Sequence, residues 1–217
     1  MNLIKDEVIE QAREFVSKEL GSETSGHDWW HIKRVSQMAR RIAMEEGADP
    51  GICELAALLH DIPDDKRGIS EEEGLSVLMD WMDSHGIAAD SKEHILQIIS
   101  TMSFRGGNNP PMNTIEGKVV QDADRLDAIG AIGIARAFLY SGHTGQAIYD
   151  PEIPVRMTMT KEEYRNGKST AINHFHEKLL KLFKSMNTSY ARQVAIKRQK
   201  FMEDFLGQFY LEWNGQD

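Results

Sequence analysis

Apolar side chains recur at intervals of three and four residues along almost the whole of this chain. The first such stripe consists of Ile4, Val8, Ala12, Phe15 and Val16, and the second runs over residues 32–43. A helix places residues three and four positions apart on one face, so each stripe predicts an amphipathic helix. We find no convincing alternating strand pattern and no internal repeat. The sequence therefore predicts an all-α helical bundle.

Capping and stop signals divide the stripes into separate helices. Gly47 is a stop signal after the second stripe, and Asp49 followed by Pro50 is a typical N-cap with proline at the first helical position. Ser70 and Glu73 have the spacing of a capping box and predict the start of a fourth helix. The remaining stripes predict helices over residues 95–102, 115–140, 170–186 and 190–211.

Length and composition limit the class of protein. A length of 217 residues, 41% of them hydrophobic and 27% charged, predicts one globular domain over residues 1–217. No apolar run reaches the roughly 18 residues that a membrane helix needs. The single cysteine, Cys53, cannot form an internal disulfide, and the N-terminus has no signal-peptide core, so we expect a cytoplasmic location. A net charge of −9 argues against nucleic acid or an anionic membrane as the main partner.

The charge is unevenly distributed. Residues 161–200 contain ten Lys or Arg and three Glu, whereas the rest of the chain has 15 basic and 31 acidic residues. A solvated helical face explains this basic segment. A positively charged surface that faces an acidic metal-binding site also explains the basic segment. Such a surface would suit an anionic substrate held on a metal.

Three clusters of polar residues can carry chemistry, and the first lies at residues 26–35. On a helix, His27 and His31 are one turn apart on the same face, and Arg34 lies three residues further along it. A single histidine on an apolar stripe is usually a satisfied core residue. Two histidines and an arginine on one face also fit a functional site, and both interpretations stay open.

The second cluster begins where an apolar helix runs directly into His60-Asp61, and Pro63 then ends that helix. Burying an imidazole beside a carboxylate is costly unless another group neutralises them. A divalent cation does so, because imidazole and carboxylate are common ligands of such ions. Asp64 and Asp65 follow closely enough to orient or deprotonate a metal-bound water, although an acidic turn explains them equally well.

The third cluster consists of Asp122, Asp124 and Asp127, three carboxylates within six positions. Apolar residues flank them on both sides, which is unusual for a solvated face and implies that at least one carboxylate is buried. Buried together without a cation, they would repel strongly. This segment is therefore a second candidate for cation binding.

Taken in order, His31, His60-Asp61 and Asp124 resemble the metal-ligand pattern of the HD-domain metal-dependent phosphohydrolases. The likeness covers residues 26–130, the expected metal-binding core, and the helices over residues 161–213 are expected to complete the pocket. The whole chain is similar to a bacterial single-domain subgroup that shares the Gly-His-Asp-Trp-Trp-His-Ile stretch. Some members of that subgroup are Mn²⁺-dependent nucleoside triphosphate pyrophosphohydrolases.

The resemblance implies a set of metal ligands: His31, His60, Asp61 and Asp124. Asp122 competes for the last place, and we prefer Asp124 because its Ala-Asp-Arg-Leu context supplies the ligand in related guanosine tetraphosphate hydrolases. Binuclear members insert two further histidines between His-Asp and the final Asp. His85 and His94 lie in that interval, but we interpret them as surface or packing residues and expect one metal ion.

The resemblance also implies catalytic and substrate-binding residues. Asp64 and Asp65 correspond to the acidic pair that follows His-Asp in related hydrolases, and they are the expected proton acceptors. His27 is expected to contact a phosphate or to shuttle a proton. The side chains expected to surround the phosphates are Arg34, Lys66, Arg125, His174 and Lys178.

The expected reaction is hydrolysis of a nucleoside triphosphate to its monophosphate and pyrophosphate. A nucleoside monophosphatase, a cyclic-nucleotide phosphodiesterase, a guanosine tetraphosphate hydrolase and a non-catalytic nucleotide sensor stay open as alternatives. Mn²⁺ is the preferred ion, with Mg²⁺, Fe²⁺, Co²⁺ and Ni²⁺ as alternatives. A small nucleotide is the expected partner, and a homodimer is left open.

Overall fold

The computed structural model describes residues 4–21, 26, 28–63, 70–102, 111–158 and 167–216. Within these ranges every regular element is helical, which confirms the predicted all-α class. No helix in the described part of the chain is both long enough and apolar enough to cross a membrane. The described residues divide into two compact units, one ending at Asp124 and the other starting at Arg125. The single-domain organisation stays a prediction.

The first unit is built around one helix that is apolar except for Glu54. Its helices are α1 (Asp6–Leu20), α2 (Trp29–Glu46), α3 (Pro50–Leu59), α4 (Glu71–Ser84), α5 (Ala89–Met102) and the larger part of α6 (Ile115–Asp127). Every residue of α3 from Ile52 to Leu59 is buried, because α1, α2 and α5 pack around it. A helix that is apolar all round has to lie in the core.

Local capping signals set the helix boundaries as the sequence predicts. Gly47 follows α2 in the left-handed conformation with φ +72°, which a side chain rarely tolerates. The Asp49 side chain accepts hydrogen bonds at the start of α3, and Ser70 and Glu73 form both hydrogen bonds of the capping box that begins α4. These signals act over two or three residues, so the sequence alone is sufficient to locate them.

A buried carboxylate joins the helices of the first unit. Glu54 of α3 is 1% exposed, and its two oxygens lie 2.5 Å from an Arg13 guanidinium nitrogen on α1 and 2.9 Å from one of Arg40 on α2. Paired arginines compensate the cost of burying this charge. The contacts therefore hold α2, which carries His31, and α3, which His60 directly follows, in a fixed relation.

The second unit contains the end of α6, α7 (Gly130–His143), α8 (Ala171–His174), a π-helical segment (Phe175–Leu179), α9 (Leu180–Leu182), a 3₁₀ turn (Phe183–Ser185) and α10 (Ser189–Trp213). Helix α7 packs against α8 and α10. The rings of Phe138, Phe175 and Phe205 meet with centroids 5.9 to 6.1 Å apart and form an aromatic core.

Two predicted helices are interrupted in the structure. The helix expected over residues 115–140 is two helices, because Gly130 takes φ +78° and breaks the α-helical path. A Cβ at Gly130 would lie 2.9 Å from Arg198 Cγ, so the close packing of α10 also requires glycine there. The helix expected over residues 170–186 is helical from Ala171 to Ser185, but it changes to π geometry at Phe175 and to 3₁₀ geometry at Phe183.

Candidate metal centre

Helix α2 supplies His31 from its first turn. The carboxylate of Asp28, the N-cap residue, accepts a hydrogen bond from the His31 backbone N–H at 2.8 Å. This cap fixes the start of the helix. The His31 side chain is completely buried, so it points into the first unit.

The end of α3 supplies His60 and Asp61 in a turn that continues to Pro63. His60 Nδ1 lies 2.8 Å from the backbone oxygen of Ala57 in the preceding turn. A carbonyl can only accept a hydrogen bond, so Nδ1 carries the proton and Nε2 presents its lone pair. Metal-binding histidines are commonly oriented by this type of contact.

Helix α6 supplies Asp124. The Asp124 side chain is 37% exposed, whereas Asp122, two positions earlier, is fully buried. Residues two apart on a helix point in different directions, so only one of the two can face a given site. In the described part of the chain, the group of facing ligand atoms contains Asp124 and does not contain Asp122.

These side chains converge although they are distant in sequence. One ligand atom from each of His31, His60 and Asp124 lies within 4.8 Å of the other two. His31 Nε2 is 3.5 Å from Asp61 and 3.6 Å from Asp124, and His60 Nε2 is 3.2 Å from Asp61 and 4.0 Å from Asp124. The structure thus brings all four predicted ligands together.

The donor set fits a divalent cation. Most of the nitrogen–oxygen separations exceed a normal hydrogen bond, which is about 2.7–3.2 Å. Two ligands that share an ion at about 2.0–2.3 Å lie about 3–4 Å apart, and that is the spacing found here. Two imidazole nitrogens and two carboxylates suit Mn²⁺, Fe²⁺, Co²⁺, Ni²⁺ or Zn²⁺. The ligand role of each residue stays a prediction.

Gly74 determines how closely α4 approaches the turn that carries His60 and Asp61. A Cβ built on Gly74 would lie 2.4 Å from Pro63 Cα and 3.3 Å from the Ile62 oxygen. Such contacts do not occur between real atoms, so a side chain at this position would push the two segments apart. The sequence does not predict this contact, because its only signal there is an isolated glycine inside a helical pattern.

Several predicted site residues lie outside the described part of the chain. These are the proposed catalytic residues His27, Asp64 and Asp65 and the proposed phosphate ligand Lys66. Their roles stay predictions.

The two other histidines considered as ligands have different neighbours. His85 stacks on Trp81 with ring centroids 4.1 Å apart, and its Nδ1 lies 2.7 Å from the Trp81 oxygen. His94 Nε2 lies 3.1 Å from the Thr114 hydroxyl and 3.8 Å from Glu116. Neither belongs to the group of facing ligand atoms in the described residues. These contacts are those expected of packing and surface residues.

The two described arginines proposed for phosphate binding lie next to candidate ligands in the sequence. Arg34 is half-buried one helical turn after His31. Arg125 directly follows Asp124, and its guanidinium donates a hydrogen bond to the backbone oxygen of Ser185 within the second unit. Arg125 is therefore also a structural residue.

His174 and Lys178 belong to the second unit, at the junction of α8 and the π-helical segment. Burial lowers the pKa of His174 to about 3, and the positive charges of Lys178 and Arg156 act in the same direction. Next to it, Glu177 binds Arg156 with guanidinium–carboxylate contacts of 2.7 and 2.9 Å. Burial would raise the pKa of Glu177, but the hydrogen bonds and charge of Arg156 outweigh it and lower that pKa. His174 is therefore uncharged at neutral pH and can offer hydrogen bonds but no positive charge.

This shifted pKa predicts an acid-sensitive fold. Unfolded His174 takes up a proton near its ordinary pKa of 6.5, whereas the folded residue does so only near 3. The unfolded state thus binds more protons between these values, and stability is lost as the pH falls through that window. We expect a loss of about 1–2 kcal/mol between pH 6.5 and 5 from this residue. Thermal unfolding of His174→Gln should show a shallower pH dependence than the parent.

The control for this experiment is His143→Gln, because His143 is exposed at the end of α7. Other groups titrate in all three proteins. The difference in pH dependence between His174→Gln and His143→Gln therefore reports the contribution of His174. If the melting temperatures of the parent and of His174→Gln fell equally steeply with decreasing pH, the prediction would be wrong.

Comparison with known proteins places these features in a family. The HD domain model matches residues 29–129, a range that holds all four candidate ligands. The protein YpgQ of Bacillus subtilis is 40% identical over 211 residues, which cover 96% of this chain and 95% of YpgQ. A crystal structure of YpgQ in complex with ADP matches with a TM-score of 0.76 and 38% identity, covering 96% of this chain and 100% of YpgQ.

Two further crystal structures agree. A protein from Lactobacillus plantarum matches with a TM-score of 0.88 and 42% identity over 98% of this chain and 100% of its own. An HD-superfamily hydrolase from Bacillus thuringiensis matches with a TM-score of 0.77 and 44% identity over 97% of this chain and 99% of its own. The chain therefore belongs to the HD-domain family and is a member of the HD hydrolase superfamily.

Proposed function

We propose that this protein is a metal-dependent phosphohydrolase that cleaves a nucleoside triphosphate to its monophosphate and pyrophosphate. The observation that supports it most directly is the convergence of His31, His60 and Asp124 within 4.8 Å, with Asp61 close to both imidazoles. Two neutral nitrogens and two carboxylates would hold one divalent cation, with Mn²⁺ preferred.

The proposed chemistry assigns a role to each group of residues. A cation held by the four side chains would supply a Lewis acid that activates water and neutralises charge on phosphate oxygens. Asp64 or Asp65 would accept the proton of the attacking water, a role that typically contributes about 10²–10⁴ in rate. His27 would contact a phosphate or shuttle the proton.

Positive charge has to balance the charge that develops on the phosphate oxygens during the reaction. In this proposal Arg34, Lys66, Arg125 and Lys178 supply it, and neutral His174 donates a hydrogen bond. Half-buried guanidinium groups suit this role because they can bind two phosphate oxygens at once.

A nucleotide as substrate is supported by a relative. YpgQ, which is 38% identical over almost the whole chain, has been crystallised in complex with ADP. Because this relative binds a nucleoside diphosphate, a nucleotide is the ligand that we propose first for this protein.

A substrate screen with added Mn²⁺ tests the proposal. Nucleoside tri-, di- and monophosphates and a cyclic nucleotide are incubated with the metal-loaded protein, and pyrophosphate is assayed separately from orthophosphate. We expect turnover of triphosphates with equal amounts of monophosphate and pyrophosphate. Orthophosphate as the first product would contradict the choice of bond, and binding without turnover would indicate a nucleotide sensor.

A further inference from the structure

Trp30 is a large aromatic residue at the surface of the first unit, next to a proposed metal ligand in the sequence. It precedes His31 in the first turn of α2, and its side chain is 59% exposed, whereas His31 is completely buried. The Cα atoms of consecutive residues lie only about 3.8 Å apart. A single exposed apolar residue needs no explanation by itself, so the neighbours of Trp30 decide what its indole ring can do.

The position of Trp30 around α2 relates it to Arg34, the arginine proposed to bind phosphate. An α-helix turns about 100° per residue, so Arg34 lies about 60° from His31 around the helix axis, and Trp30 lies about 100° from His31 on the same side. Arg34 also follows Trp30 by one turn, so their side chains are neighbours on the helix surface. Around the helix, the order is therefore metal ligand, guanidinium and indole.

Lys33 adds positive charge at the indole ring itself. Its Nζ lies 5.2 Å from the centroid of the Trp30 ring, which is a cation–π contact. This contact restrains the ring, and more than half of the Trp30 side chain is still exposed with the contact in place. The ring can therefore accept a second planar group.

Helix α2 differs in charge from the chain as a whole. From Trp29 to Met44 it contains four basic residues and no acidic one, although the whole chain has a net charge of −9. A surface that combines an exposed indole ring with this excess of positive charge suits a ligand that is both anionic and aromatic.

We propose that Trp30 is a specificity-determining residue on which the base of the nucleotide stacks. The inference rests on the proposed function, in which the cleaved bond places the α-phosphate at the metal centre. In a nucleotide the base is separated from the α-phosphate by one sugar. The order of phosphate, sugar and base along the ligand then follows the order of His31, Arg34 and Trp30 around the helix.

Stacking on Trp30 predicts the type of selectivity that the site has. Every base has a π-face, so an aromatic platform accepts all of them, and it contributes about 5–150-fold in affinity per base. The two fused rings of a purine cover more of the indole than the single ring of a pyrimidine. The site should therefore bind purine and pyrimidine nucleotides alike, with the purines bound more tightly. Lys33 is a positioning residue in this arrangement, because it acts through the ring.

Calorimetric binding of two ligands that differ only by the base tests the inference. Adenosine 5′-monophosphate and ribose 5-phosphate share the sugar and the phosphate, and both are titrated into the full chain in the presence of Mn²⁺. The parent should bind the nucleotide at least about fivefold more tightly than the sugar phosphate. Trp30→Ala should remove this difference by raising the dissociation constant of the nucleotide alone.

Two further variants separate stacking from a general effect on the fold. Trp30→Phe keeps an aromatic ring and should retain most of the preference for the nucleotide. Met44→Ala removes a 61% exposed apolar side chain from the same helix and should leave both dissociation constants unchanged. The inference is overturned if Trp30→Ala weakens both ligands equally, if it changes neither, or if the Mn²⁺-loaded parent does not prefer the nucleotide.

The experiment distinguishes this inference from the proposed function, because binding is measured without turnover. If the parent cleaves nucleoside triphosphates while Trp30→Ala binds both ligands as the parent does, only the stacking role is wrong. If Trp30→Ala loses the preference for the nucleotide while the parent cleaves no triphosphate, only the proposed reaction is wrong.

Discussion

Replacing His60 with alanine is expected to remove the bound divalent cation and the hydrolytic activity together. His60 Nε2 is held towards Asp61 and Asp124 by the contact of Nδ1 with the Ala57 oxygen. Loss of this ligand leaves two carboxylates near one imidazole, an incomplete set for a tightly bound ion. A Lewis acid contributes several kcal/mol to such reactions, so we expect activity to fall at least about 10³-fold.

Metal content is measured by elemental analysis after dialysis against Mn²⁺, and activity is measured as the rate of pyrophosphate release. His85→Ala is the matched control, since it removes the same side chain from a stacked position on Trp81. It should retain both the metal and the rate. If His60→Ala also retained both, the ligand assignment would be wrong, whatever the substrate.

The second large effect is expected from Gly74→Ala. The added Cβ would lie 2.4 Å from Pro63 Cα, so α4 or the turn with His60 and Asp61 has to move. Overpacking of this kind usually costs about 1–3 kcal/mol of the free energy of unfolding. Displacement of two ligands at once should also weaken Mn²⁺ binding at least about tenfold, because ligand geometry determines affinity.

Chemical denaturation measures the change in the free energy of unfolding, and a Mn²⁺ titration measures the change in metal affinity. Both experiments are carried out well below the melting temperature. Gly142→Ala is the control, because a Cβ at Gly142 meets nothing within 4 Å. It should leave metal affinity unchanged and cost little or no stability. Unchanged metal affinity in Gly74→Ala would show that the α4 contact does not position the ligands.

The parts of the fold that depend on neighbouring residues were predictable from the sequence. The Ser70–Glu73 capping box and the Asp49–Pro50 helix start involve residues at most three positions apart, and both are present. The division at Gly130 was missed because the apolar spacing continues through it into α7. A glycine in a helical pattern does not by itself distinguish a tolerated residue from a break.

The candidate centre was predicted in a different way. The spacing of residues suggested that His60-Asp61 suits a cation, but only the family resemblance selected His31 and Asp124 as their partners. Their convergence depends on how α2, α3 and α6 pack against one another. Local sequence patterns carry no information about this packing. For the same reason the buried carboxylate of Glu54, whose arginine partners lie on two other helices, left no signal in the sequence.

The contact between His60 and Ala57 has a consequence for how the centre assembles. Because the imidazole is anchored to its own helix, its direction is set as soon as α3 forms, before the remote side chains arrive. One of the four proposed ligands is thus preorganised, so capture of an ion would have to restrain fewer rotating bonds. The entropy lost on ion capture would then fall mainly on the other three side chains.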